Sequence, residues 1–117
     1  MLTRENEISQ AMLTHKDICQ AVKKIAPSYG IKNAFYFGSY ARGTQTQNSD
    51  LDLLVEFGDV RVSLFTLGGI ISDLEDMLHK EVDVVTLPLK KDSRLIIEKA
   101  VKCYGHKQRS NAYYQNP

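Results

Sequence analysis

The stretch 35–57, FYFGSYARGTQTQNSDLDLLVEF, decides how the chain is read. An apolar run closes on Gly38-Ser39, ten residues follow, and Asp50 and Asp52 then stand one residue apart at the head of a second apolar run. If residues 51–57 form a strand, alternation places Asp50 and Asp52 on one face and Leu51, Leu53, Val55 and Phe57 on the other. Two carboxylates on the solvent side of an otherwise buried strand offer oxygen ligands to hard divalent cations. Residues 33–37 suit a strand covered on both faces, and residues 40–43 a short helical turn. Such a turn leaves backbone N–H groups around Gly38 and Ser39 unpaired at a helix start, where an anion is favoured.

Upstream of this stretch, residues 3–13 fit a first helix with Thr3 as N-cap and Ile8, Ala11 and Met12 as its apolar stripe. A better-marked helix starts after Thr14, whose hydroxyl can cap while Asp17 bonds back and Leu13 staples against Ile18. Ile18, Cys19, Val22, Ile25 and Ala26 continue one face, and Pro27 with Gly30 is expected to end it. Downstream, Gly58 and Asp59 turn the chain, and Ser63 caps a helix running to about His79 with the stripe Leu64, Leu67, Ile71, Leu74 and Leu78. Gly68 and Gly69 each cost about 1 kcal/mol relative to Ala there; close packing against the sheet is the expected reason.

Residues 81–86 read as a third strand, with Val82, Val84 and Thr86 on one face and Asp83 with Val85 on the other. Pro88 breaks the chain, Asp92 or Ser93 can cap a last helix, and Ile96, Ile97, Ala100, Val101 and Tyr104 form its apolar face up to Gly105. The reading is one domain over residues 1–105, followed by a polar, aperiodic tail over residues 106–117 that is expected to be mobile except where a partner engages Tyr113 and Tyr114.

With 117 residues, 43% hydrophobic and 25% charged, the chain has the composition of a folded soluble domain rather than a disordered one. A net charge of +1 supplies no general attraction to nucleic acid or to an anionic membrane, so no direct nucleic-acid partner is expected. No apolar run nears the roughly 20 residues of a bilayer span, and the first ten residues lack a signal-peptide core, so a cytoplasmic protein is expected. Cys19 and Cys103 have neither metal-site nor disulfide spacing and read as reduced thiols on helix faces. His15, His79 and His106 read as solvated or capping residues, and Tyr29, Tyr36 and Tyr40 as core and wall.

Three aspartates on neighbouring strands, Asp50, Asp52 and Asp83, repel one another unless positive charge lies between them. Magnesium is usually held by one or two carboxylates plus substrate phosphates, so a carboxylate cluster beside an anion-binding Gly-Ser turn points to a nucleoside triphosphate bound through its metal. Two ions roughly 3.5–4 Å apart could then serve an in-line displacement at phosphorus. Arg42 is either a further phosphate contact, through its forked guanidinium, or a structural ion-pair partner.

The pattern Gly38-Ser39, ten residues, Asp50-x-Asp52 resembles the signature of the DNA polymerase beta-like nucleotidyltransferases. The short chain, the Ala-Arg-Gly after Gly-Ser, Ser49-Asp50 and the run Val82-Asp83-Val84-Val85-Thr86 are most similar to the minimal nucleotidyltransferase (MNT) antitoxins, over roughly residues 5–104. The resemblance implies an α+β (α/β) fold, a small mixed sheet flanked by helices. It further implies that Gly38 and Ser39 hold the triphosphate of ATP, that Asp50 and Asp52 bind two Mg2+ ions, and that Asp83 completes the second metal position and helps to deprotonate the acceptor. Antitoxins of this group are paired with a HEPN-domain ribonuclease toxin, which they silence by adding AMP to a tyrosine. Two other functions stay open at this point: an antitoxin that acts by occlusion without catalysis, and a transferase for a small-molecule hydroxyl. Larger relatives of the latter kind carry a further helical domain, for which this chain has no room, and template-directed polymerisation is disfavoured on the same ground.

Overall fold

The computed structural model describes residues 12–58, 61–89 and 97–105. Helix α1 spans His15–Tyr29 and strand β1 Ile31–Phe37; a single turn, α2, covers Ser39–Arg42; β2 is Leu51–Phe57, helix α3 Leu64–Leu78, β3 Val82–Thr86 and β4 Ala100–Tyr104. The strands form one mixed sheet in the order β3-β2-β1-β4. β2 runs antiparallel to β1 and parallel to β3, with α3 as the crossover that a parallel pair requires, and β4 lies antiparallel on the other side of β1.

Helices α1 and α3 cover one face of the sheet. Ile18, Val22, Ile25 and Ala26 from α1 and Ile70, Leu74 and Leu78 from α3 pack on Ala34, Tyr36, Leu51, Leu53, Val55 and Val82. The opposite face carries a smaller cluster of Phe35, Phe37, Leu54 and Leu87, with Val85, Leu89, Ile97 and Ala100 against it. β1 and β2 are thus apolar on both sides, as inner strands of a covered sheet must be.

Local chemistry sets the element ends. Thr14 caps α1 through its hydroxyl, which accepts from the Asp17 amide at 3.1 Å, while the Asp17 carboxylate accepts from the Thr14 amide at 2.9 Å, so two helix-end donors are satisfied reciprocally. Ser63 caps α3 in the same manner, accepting from the Thr66 amide at 3.2 Å.

Several expectations are revised. Of the helix anticipated over residues 3–13, positions 3–11 lie outside the described residues, and residues 12 and 13 precede α1 without being helical. Pro27 does not stop α1: it stands exposed in the last turn, and the helix continues to Tyr29, where Gly30 adopts the left-handed conformation (φ 73°) and its amide closes onto the Ala26 carbonyl. The buried stripe of α3 is Ile70, Leu74 and Leu78, whereas Leu64 is 85% exposed.

Gly69 is indeed a site of close packing, but against α1 rather than the sheet: a Cβ there would come within 2.8 Å of the Tyr29 hydroxyl, which donates to Asp73 at 2.6 Å. Gly68 faces open space.

The largest correction concerns the C-terminal region. Residues 100–104 are strand β4, not helix. Ile97, Ala100, Val101 and Tyr104 are spaced as on a helix face, yet the exposed hydrogen-bonding edge of β1 needs a partner and β4 supplies it. A register shift between Ala34 and Phe35 lets Val101, Cys103 and Tyr104 meet the helix-side core while Ala100 meets the opposite cluster. The anticipated caps Asp92 and Ser93, with Ile96, lie outside the described residues, as does the tail 106–117. Both cysteines are free; Cys19 is on α1 as expected, and Cys103 is on a strand.

Candidate active site

The site grows from the end of β1. Phe37 lies opposite Asp52 on β2, and Asp52 is the register partner of Asp83 on β3. Alternation along the strands then puts Asp52 on the same face as Leu54, and Asp83 on the same face as Val85, the face opposite α1 and α3. Leu54 is fully buried, so the aspartate face is not the bare solvent side expected from the sequence; at the aspartate end Asp52 is half-buried and Asp83 exposed. Asp50, also exposed, immediately precedes β2.

Gly38 is required there twice over. Its backbone (φ 71°, ψ −147°) lies where residues with a side chain are strongly disfavoured, and a Cβ would drive into the Asp52 carboxylate. The turn after Phe37 therefore rests directly on that carboxylate. The Gly38 carbonyl accepts from the Ala41 and Arg42 amides, both at 3.1 Å, and Gly43 closes the turn in the left-handed conformation. The amides of Ser39 and Tyr40, at the head of α2, have no preceding turn to bond and are the donors available to an anion. The hydroxyl of the buried Tyr40 accepts from the Leu13 amide at 3.2 Å, so Tyr40 is wall, as anticipated.

The electrostatics tie the pieces together. Burial, then the neighbouring charges of Asp83 and Asp50, raise the Asp52 carboxyl above the ordinary aspartate range, while the guanidinium of Arg42 pulls in the opposite direction. Asp50, Asp52, Asp83 and Arg42 thus share one field, and the central carboxylate is short of positive charge. An acceptor-only set of oxygens in that condition fits a hard divalent cation. Among the described residues no three carboxylate, thiol or imidazole groups close into a cage that could hold an ion alone.

The loop between α2 and β2 is braced. The Thr46 amide donates to the Ser49 hydroxyl at 2.9 Å, the Ser49 amide returns to the Thr46 carbonyl at 3.1 Å, and the Lys80 ammonium donates to the Gln47 carbonyl. The Leu51 amide donates to the Glu81 carbonyl at 2.9 Å. Sequence reading passed over Lys80, which is 33 residues from Gln47 and belongs to no motif.

Other candidates fall away. His15 is not merely solvated: its Nδ1 is 2.8 Å from the Tyr36 hydroxyl and its Nε2 3.2 Å from the Cys19 sulfur. His79 is the C-cap of α3, and His106 lies outside the described residues. Two grooves of about 450 and 410 Å3 are lined by residues of α1 and α3, and a third of about 390 Å3 lies by Phe57 and Thr86, at the other end of β2 and β3 from the aspartates. Among the described residues, no helix is long and apolar enough to cross a membrane.

Comparison with known proteins places this geometry. The model of the nucleotidyltransferase domain matches residues 15–105. A protein of Methanocaldococcus jannaschii, provisionally named a protein adenylyltransferase, is 46% identical over 65% of this chain and 88% of its own length. A toxin–antitoxin crystal structure containing AMP-PNP shares the fold at a TM-score of 0.62 and 24% identity, over 81% of this chain and 76% of the other. So does a tri-AMPylated Shewanella oneidensis HEPN toxin in complex with MNT antitoxin, at 0.58 and 18% identity, over 80% of this chain and 74% of the other. With a family model spanning all seven elements and the Gly-Ser turn resting on the first strand aspartate, the chain belongs to the nucleotidyltransferase domain family.

Proposed function

We propose that this chain is a cytoplasmic antitoxin that transfers AMP from ATP to a tyrosine hydroxyl of a cognate HEPN ribonuclease toxin and so neutralises it. The observation that carries the reading is the contact of Gly38 with the Asp52 carboxylate, with Asp83 in register beside it. It sets an anion-binding turn against a carboxylate pair. The adenylyltransferase name of the Methanocaldococcus jannaschii relative and the AMPylated toxin in the structural neighbour support AMP as the group and a toxin as the acceptor.

In this mechanism the backbone at Gly38 and Ser39, with the Ser39 hydroxyl, grips the triphosphate, and Arg42 adds a forked contact to its oxygens. Asp50, Asp52 and Asp83 would hold two Mg2+ ions, which when bound neutralise phosphate charge and stabilise the attacking and leaving oxygens of an in-line displacement. The tyrosine oxygen forms a bond to the α-phosphorus, the bond from that phosphorus to the bridging oxygen breaks, and pyrophosphate leaves. Asp83, exposed at the rim, draws the phenolic proton from the acceptor as it attacks. A bulky anion on the tyrosine then obstructs RNA by charge and size.

The test is transfer of label from ATP to purified HEPN toxin in the presence of magnesium. Asp50→Ala and Asp52→Ala are expected to lower the rate by at least roughly 10²-fold, the scale of losing a main electrostatic element of such a site. Equal labelling by these variants would overturn the assignment.

A further inference from the structure

We infer that Lys80 is a positioning residue for Asp50, holding the loop that presents this carboxylate to the site. The inference rests on the proposed transferase reading for its consequence and on the loop geometry for its substance.

Asp50 follows the loop after α2 and is not itself in the sheet, so its place depends on what fixes the residues to either side. On the downstream side, the Leu51 amide is bonded to the Glu81 carbonyl. On the upstream side, Ser49 is bonded to Thr46 through both its amide and its hydroxyl, and Asn48 donates to the Thr46 hydroxyl at 3.2 Å, which makes residues 46–49 a self-contained knot. Bonds within the knot fix its shape but not its place on the molecule.

The start of the loop is tied to α2, where the Thr44 amide donates to the Ser39 carbonyl at 3.0 Å, and the Lys80 ammonium on the Gln47 carbonyl ties the knot itself to the segment ahead of β3. Lys80 and Glu81 are consecutive, so one short segment ahead of β3 holds both flanks of Asp50, by a side chain on one and a carbonyl on the other. The same segment leads three residues on to Asp83, the register partner of Asp52. Lys80 therefore couples the loop carboxylate to the strand that carries the third acid. A lysine suits this role because its long stem can span the gap while a charge-assisted hydrogen bond meets a backbone oxygen, which no side-chain change at Gln47 would remove.

The experiment compares wild type, Lys80→Met and Lys80→Arg by amide hydrogen exchange and by steady-state AMP transfer. In Lys80→Met the Ser49 and Leu51 amides are expected to exchange faster, kcat to fall by roughly 10- to 100-fold, as for a small misplacement of a catalytic group, and KM for ATP to change little. Lys80→Arg, which can still donate to Gln47, should recover most of both signals. Unchanged exchange at Ser49 and Leu51 in Lys80→Met overturns the positioning role. A fall in kcat without a change in exchange does the same, by placing Lys80 on the substrate instead. Wild type that transfers no AMP would refute the transferase reading alone, since the exchange comparison needs neither nucleotide nor toxin.

Discussion

Gly38 and Asp52 are the two residues on which the site turns, and each makes a separate demand. Adding one methyl at Gly38 strains a left-handed backbone and displaces the Asp52 carboxylate, so Gly38→Ala is expected to cost about 1–3 kcal/mol of stability and to abolish AMP transfer, measurable by denaturant unfolding and by labelling. Ordinary stability together with ordinary turnover would contradict the contact. Asp52 gives a pH signature. Because folding raises its carboxyl above the unfolded value, chiefly by burial and then by Asp83 and Asp50, the stability this group contributes is complete below about pH 4 and is lost as pH rises through the raised value. Asp52→Asn, which cannot ionise, is therefore expected to raise the melting temperature of the nucleotide-free protein at pH 7–8 and to leave it unchanged below about pH 4. Identical melting curves at pH 8 would show that the carboxylate carries no such strain. The sequence made the turn at Gly38 and the placing of Asp52 and Asp83 on neighbouring strands legible, because strand periodicity and motif spacing are local properties. It could not make Lys80 legible, since the bond to Gln47 exists only after α3 has returned the chain to the sheet.

At the scale of elements, caps and alternation were readable, and the direction in which a helix turns its apolar face was not. Thr14 and Asp17 announce the start of α1; Thr14→Ala is expected to destabilise the protein by about 1 kcal/mol, the usual value of such a cap, as read from urea midpoints. In α3 the sequence carries more apolar residues than one face can bury, so the pattern fits two rotations of the helix. The observed rotation buries Ile70 completely and leaves Leu64 in solvent. Ile70→Ala should cost about 2–5 kcal/mol and Leu64→Ala less than about 0.5 kcal/mol, and the reverse order would restore the stripe inferred from sequence. β4 was hidden for a related reason. A five-residue segment is too short for its period to separate strand from helix, and what decides it is the open edge of β1, contributed by residues some 65 positions earlier.

At the scale of the whole molecule, the two faces of the sheet are divided between packing and the candidate site. Helices α1 and α3 occupy one face, and Asp52 and Asp83 lie on the other at the end of the sheet where β1 passes into the Gly38 turn. Asp50 and Asp83 are exposed, as the proposed transfer to a tyrosine of another protein requires. Neutralisation by chemistry differs from neutralisation by occlusion in that a covalent mark outlasts the complex. The most direct measurement is the intact mass and ribonuclease activity of the HEPN toxin after incubation with the chain, ATP and magnesium, followed by complete removal of the chain. Catalysis leaves the freed toxin heavier by whole AMP groups on tyrosine and still inactive. A freed toxin of unchanged mass that regains full ribonuclease activity would contradict it.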